Sequence, residues 1–268
     1  MTEAATKEAP GFAPGTFCWV ELATSDGEKA KEFYTKLFGW DYVDSPIGPD
    51  MVYTVLKKDG KDTAALYKMP PEMSNQGIPP NWLSYVSVKS ADASANKAKE
   101  LGAELLKEPF DVFTVGRMAV IKDPTGAVFA VWQAGTHPGV GVYNTPGSLS
   151  WNELGTRDTD KAKEFYTRLF DWEADTQQMG PMTYTIFKNG GRPGGGMYEI
   201  TPEMGDLPPH WLVYFAVDDC DDKVRKAESL GGQTMKPATD IPNVGRFAIL
   251  LDPQGAAFAV IKLDNPQA

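Results

Sequence analysis

The sequence predicts an α+β protein built from two tandem copies of one domain, each copy holding two strand–helix–strand modules. Three observations carry this. The stretch WVELATSDGEKAKEFYTKLFGW, Trp19 to Trp40, recurs without a gap 132 residues later as WNELGTRDTDKAKEFYTRLFDW, Trp151 to Trp172. Self-similarity over that length marks a duplicated unit. Further segments then recur in the same order: MVYTVLK (Met51–Lys57) with MTYTIFK, PPEM with TPEM, PPNWLSYVSV with PPHWLVYFAV, and VGRMAVIKDPTGAVFAV with VGRFAILLDPQGAAFAV. Finally, each copy switches from period-two alternation to helical periodicity and back, twice.

FCWVEL alternates, so Phe17, Trp19 and Glu21 share one strand face, as Leu149, Trp151 and Glu153 do in the second copy. A helix follows, with Ala30, Phe33, Tyr34, Leu37 and Phe38 as the stripe that packs on a sheet. Ser25 and Glu28 form a capping box, Asp158 is the cap in the second copy, and Gly39 is the stop. Strands are expected around MVYTVLK and TAALYKM, with a turn near Asp59–Gly60. The second module opens with WLSYVSV. Its helix carries Ala95, Ala98 and Leu101 and stops at Gly102, and its last strands are joined by a type I turn, Asp123-Pro124-Thr125-Gly126. The expected layout is an arm at 1–14, a domain at 15–134, a Gly/Pro-rich linker at 135–147 and a domain at 148–264.

The chain has 268 residues and a formal charge of −10. That charge argues against nucleic acid or an anionic membrane as partner. No apolar run is long enough to span a bilayer, and the N-terminus lacks the features of a secretory signal. Two cysteines at non-equivalent places, Cys18 and Cys220, argue against a structural disulfide and for a reducing cytoplasm. A monomer or weak homodimer is expected.

A strand, an acidic helix start, FY-x-x-L-F-G-W and a later DP-x-G turn before an apolar strand together resemble the vicinal oxygen chelate superfamily. That superfamily includes glyoxalase I, bleomycin-resistance proteins and extradiol dioxygenases. The likeness is to its two-domain bacterial glyoxalase-like members, loosely called hydroxylases. It implies paired βαβββ modules, four in all, with each pair curled around a cavity. It does not imply an activity, because the superfamily hosts isomerases, dioxygenases, thiol transferases and drug-binding proteins.

Metal-using members place His, Gln or Glu at four strand positions. The resemblance puts these positions at Trp19, Leu66 or Tyr67, Leu83 and Ala130. In the second copy they are Trp151, Met197 or Tyr198, Leu212 and Ala259. None of these side chains binds a divalent cation, so neither a metal nor any other cofactor is expected. The two histidines, His137 in the linker and His210 beside Trp211, have no counterparts in the other copy.

Glu21 and Glu153 remain as candidate catalytic residues. Each lies two residues after the tryptophan at a lost ligand position. A carboxylate desolvated beside aromatic rings has a raised pKa, which suits a general base. The alternative is a structural carboxylate fixed by backbone N–H groups or by an arginine, with Arg117 and Arg246 as the candidate cations. Trp19, Tyr53, Trp82 and Tyr85, with Trp151, Tyr184, Trp211 and Tyr214, either fill the core or line a pocket for a flat organic molecule. NGGRPGGG, Asn189–Gly196, lacks a phosphate-loop ending and reads as a hairpin with close backbone approach. Cys18 faces away from Trp19 and is expected to be buried.

The function expected is metal-independent binding of a small organic metabolite, with or without its transformation by Glu21 or Glu153 in lyase, isomerase or related chemistry. Sequestration of the bleomycin-resistance type is the first alternative. An interaction or antigen protein with degenerate cavities is the second.

Overall fold

The computed structural model describes residues 11–49, 51–180 and 182–265. Residues 1–10 of the expected arm lie outside them. In the first half β1 (Phe17–Thr24) leads into α1 (Gly27–Phe38), then β2 (Asp41–Gly48), β3 (Met51–Lys58), β4 (Lys61–Lys68) and the short α2 (Pro71–Asn75). The second module follows as β5 (Asn81–Ser87), α3 (Ala91–Glu100), β6 (Glu104–Val112), β7 (Gly116–Lys122) and β8 (Val128–Ala134). The second half repeats this as β9 (Leu149–Thr156), α4 (Thr159–Phe170), β10 (Glu173–Met179), β11 (Met182–Asn189) and β12 (Arg192–Glu199). It ends with β13 (His210–Ala216), α5 (Cys220–Ser229), β14 (Gln233–Ile241), β15 (Gly245–Leu251) and β16 (Ala257–Leu263).

Each half forms one eight-stranded sheet, ordered β2-β3-β4-β1-β5-β8-β7-β6 and β10-β11-β12-β9-β13-β16-β15-β14. β1 pairs parallel with β4 and antiparallel with β5, and that second pairing fuses the two modules. The local signals act much as expected. Gly39 ends α1 at φ 72°, and Asp158 caps α4 by accepting from Lys161 N at 3.0 Å. One signal is displaced: Asp26, not Ser25, caps α1, accepting from Lys29 N at 3.2 Å. The helix begins one residue later than the capping box requires, and Ser25 stays exposed.

The two halves do not keep separate cores. The stripe of α1 (Phe33, Tyr34, Leu37, Phe38) packs in one cluster with Phe215, Leu250, Phe258 and Val260 of the second half. The stripe of α4 packs likewise with Phe17, Ile121, Phe129 and Val131 of the first. A hydrogen bond pins each contact. Tyr34 donates to Asp252 Oδ2 at 3.1 Å and accepts from Trp82 Nε1 at 3.0 Å. Its counterpart Tyr166 donates to Asp123 Oδ2 at 2.8 Å and accepts from Trp211 Nε1 at 2.8 Å.

These aspartates open the DP-x-G turns. Asp123 Oδ1 accepts from the N–H groups of Thr125 at 2.7 Å and Gly126 at 2.8 Å. Asp252 Oδ1 accepts from Gln254 and Ala256, both at 2.9 Å. One oxygen of each carboxylate therefore holds its own turn and the other holds the opposite half. Both cysteines are buried and free, and burial pushes the Cys220 thiol up to about 11.

Removing the tyrosine hydroxyl would leave a buried indole N–H and a buried carboxylate oxygen without partners. Tyr34→Phe and Tyr166→Phe are each expected to lower unfolding stability by about 1–3 kcal/mol. The measurement is the urea midpoint at unchanged slope.

Candidate functional site

Strand parity decides which candidates meet. Along β1 the side chains of Trp19 and Glu21 point away from the helices, whereas those of Leu22 and Val20 point into the shared core. Across the sheet Glu21 sits opposite Leu83 and Trp19 opposite Tyr85, so Tyr85 shares their face. From β3 Tyr53 completes the group. Trp19 Nε1 donates to Tyr53 Oη at 3.2 Å, Tyr53 donates to Glu21 Oε2 at 2.9 Å, and Tyr85 donates to Glu21 Oε1 at 2.6 Å.

The second half repeats the relay. Trp151 Nε1 donates to Tyr184 Oη at 3.1 Å, Tyr184 to Glu153 Oε1 at 2.8 Å, and Tyr214 to Glu153 Oε2 at 2.6 Å. Burial holds both carboxyls above the usual range, against the opposing pull of the two tyrosine hydroxyls. The neighbouring phenols are pushed up as well, by burial first and by the nearby carboxylate second. Each acid is thus a desolvated carboxylate that accepts one hydrogen bond per oxygen. Such a group can take a proton from a bound molecule while the phenols turn to stabilise charge developing on it.

Four candidates lie elsewhere. Trp82 pairs with Leu22 and Trp211 with Leu154, so their rings belong to the core between the halves. Residues 82 and 85 differ by an odd number and cannot share a strand face. Arg117 binds Asp92 at 2.7 Å and Asp111 at 2.9 Å, and Arg246 binds Asp221 at 2.8 Å and Asp240 at 2.9 Å. Both arginines lie on the helix side of their sheets, and neither is the cation partner of a glutamate. Two surface clefts, of about 190 and 330 Å³, are lined by Asp111, Phe113 and Arg117, and by Phe33, Leu230 and Pro253. Neither is lined by Glu21 or Glu153; both acids are only partly buried, so solvent reaches each relay.

Two residues that the resemblance offered only as alternatives for a lost ligand position, Tyr67 and Tyr198, belong to the relays. Tyr67 and Tyr198 approach Glu21 and Glu153 closely enough for the carboxylates to raise their pKa, in addition to the larger effect of burial. Their matched positions in the two copies were a usable signal. His137 was not legible as a site residue: the linker carries its ring edge-on to Trp19, with centroids 4.5 Å apart. Of the glycines of NGGRPGGG, Gly190 and Gly191 take the positive φ of the hairpin turn, while Gly195 and Gly196 are explained by contact. A Cβ at Gly196 would overlap the Tyr184 hydroxyl, while the first half has Ala65 in the same register beside Glu21.

The profile of the Glyoxalase/Bleomycin resistance protein/Dioxygenase superfamily matches residues 16–131 and 148–260. The chain belongs to this superfamily. Among its relatives is CFP32 of Mycobacterium bovis, named for an inferred glyoxylase activity, which is 42% identical over 253 residues covering 94% of this chain and 96% of that protein. The anthracycline biosynthesis protein DnrV of Streptomyces peucetius is 39% identical over 265 residues, covering 94% of each chain. Among solved structures, the Mn(II)-bound glyoxalase of Novosphingobium aromaticivorans superposes with a TM-score of 0.65 at 14% identity, over 95% of this chain and 86% of that one. The 2,2',3-trihydroxybiphenyl 1,2-dioxygenase of Sphingomonas wittichii gives 0.65 at 12% identity, over 93% and 91%. At such identity the two structures share the superfamily's fold alone.

The residues present do not fit the superfamily's metal. A divalent ion there needs several convergent His, Asp or Glu ligands. Each relay offers one carboxylate whose oxygens are both engaged. Among the described residues no group of three or more His, Cys, Asp or Glu converges.

Two predictions follow from this geometry. Because the folded carboxyls titrate above their unfolded range, folding favours their protonated form. Their contribution to stability is present below the unfolded pKa and lost as pH rises through the folded one. Glu21→Gln and Glu153→Gln are therefore expected to flatten the fall in unfolding free energy above the ordinary carboxylate range, measured by urea titration across pH. Gly196→Ala is expected to displace Tyr184 from Glu153 and cost about 1–3 kcal/mol by overpacking, measured the same way.

Proposed function

We propose that the protein binds a flat, carbonyl-bearing organic metabolite against the Trp–Tyr–Glu relay and moves a proton on it without a metal. The observation that carries this reading is the partly buried, pKa-raised carboxylate held between two phenols, one of them anchored by an indole, in both halves. The glutamate takes a proton from the carbon beside the carbonyl. A phenol donates to the enolate oxygen, and the same proton returns to the product, so no co-reactant is needed. The relatives support the substrate class, since their names point to a glyoxylase and to anthracycline biosynthesis. Among the described residues no helix is long and apolar enough to cross a membrane, and with two free thiols we place the protein in the cytoplasm.

A second reading, sequestration without chemistry, is favoured by one fact: both oxygens of each acid are already occupied. One experiment separates the two. An anthracycline aglycone is titrated against tryptophan fluorescence, and exchange of its ketone α-protons in deuterated water is followed by NMR. The expected result is saturable quenching with catalysed exchange, the exchange being lost in the Glu21→Gln/Glu153→Gln double variant while binding persists. Binding without exchange selects sequestration. Absence of binding overturns both readings.

A further inference from the structure

The two relays have the same hydrogen bonds but not the same surroundings. In the first half the connection after β8 crosses the end of the sheet. Val140 N donates to Cys18 O at 2.8 Å and Gly141 N to Asp62 O at 2.7 Å, so the connection is stitched to β1 and β4. His137 lies edge-on to Trp19, and its backbone carbonyl accepts from Trp132 Nε1 at 2.9 Å. Under this strap Trp19 is 4% exposed and Met118 8%.

Their counterparts Trp151 and Phe247 are only half-buried, and among the described residues no histidine ring stands edge-on to Trp151 as His137 does to Trp19. The mouth of the second half also carries a cation. Lys236 on β14 stands with Nζ 5.3 Å from the Phe247 ring centre, and its charge acts on Glu153. Lys107, the matching residue of the first half, is not among the groups acting on Glu21.

We propose that the second half is the working site, that the strap 134–141 closes the Trp19 wall of the first relay to a flat ligand and leaves it a structural copy, and that Lys236 orients an electron-rich oxygen of the ligand beside Glu153. This rests on the base assignment made above for the glutamates. The site then takes a ligand with an aromatic plane, laid against Trp151 and Phe247, and a phenolate, enolate or carbonyl oxygen within reach of Lys236. Facing Glu153 are Tyr184 from β11, Tyr198 from β12, Tyr214 from β13 and Lys236 from β14.

Access is tested without any ligand by dicyclohexylcarbodiimide. The reagent is apolar and reacts with protonated carboxyls: the acid oxygen bonds to the carbodiimide carbon, the proton passes to nitrogen, and acyl transfer leaves a stable N-acylurea for peptide mass mapping. Both carboxylates keep partial exposure, but the strap covers Trp19 and Met118 beside Glu21, so in the wild type Glu153 is expected to label about tenfold faster than Glu21. His137→Gly is expected to raise labelling of Glu21 and leave that of Glu153 unchanged. Lys236→Gln is expected to move the pH midpoint of Glu153 labelling upward, because a cation that favours the carboxylate has gone.

Equal labelling in the wild type, or none at Glu153, overturns the asymmetry. Unchanged Glu21 labelling in His137→Gly overturns the seal, and an unmoved midpoint overturns the role of Lys236. Proton exchange that survives in Glu153→Gln would instead overturn the base assignment and leave the accessibility result standing.

Discussion

Each half buries the turn aspartate of its second module against a tyrosine from the other half, and the architecture follows from that exchange. A carboxylate placed among Phe, Leu and Val is costly unless its oxygens are paired. Asp123 and Asp252 meet the requirement with backbone N–H groups on one oxygen and Tyr166 or Tyr34 on the other. Because the tyrosines lie on α1 and α4, each helix is drawn against both sheets. The helical faces of the sheets are thereby committed to each other, and the opposite faces are left for Glu21 and Glu153.

The same economy of polar groups governs those opposite faces. Two phenols satisfy each glutamate, an indole N–H steadies one of those phenols, and no arginine takes part. An arginine there would hold the acid ionised and well below the range useful to a base. Tyrosine hydroxyls hold it while leaving desolvation dominant. The arginines of the VGR segments are instead engaged by surface aspartates on the far side of the sheet.

Much of the fold was legible in the sequence because duplication doubled every signal. The order of strands and helices, the stop at Gly39, the cap at Asp158 and the burial of Cys18 all follow from local chemistry. The site was legible in part. Trp19, Glu21, Tyr53 and Tyr85 converge, as do Trp151, Glu153, Tyr184 and Tyr214, whereas Trp82 and Trp211 were excluded by a parity rule readable in the sequence itself. His137 and Lys236 could not be found in this way. One reaches its place through an irregular connection and the other through a bulged strand, and neither path has a period. The cross-half use of the FY and DP-x-G motifs was equally hidden, since a motif shows its residues but not which copy they serve.

The two tyrosine–aspartate contacts differ in one respect that symmetry conceals. Tyr166 and Asp123 are separated by 43 residues, whereas Tyr34 and Asp252 are separated by 218. The nearer pair can form while the ribosome is still making the second half. The farther pair must wait until Asp252 has been made, and until then Phe33, Leu37 and Phe38 have only the cover of their own half. The nascent chain therefore carries a half-clothed greasy helix through the synthesis of most of the second sheet, and closure of that turn ends its exposure to aggregation.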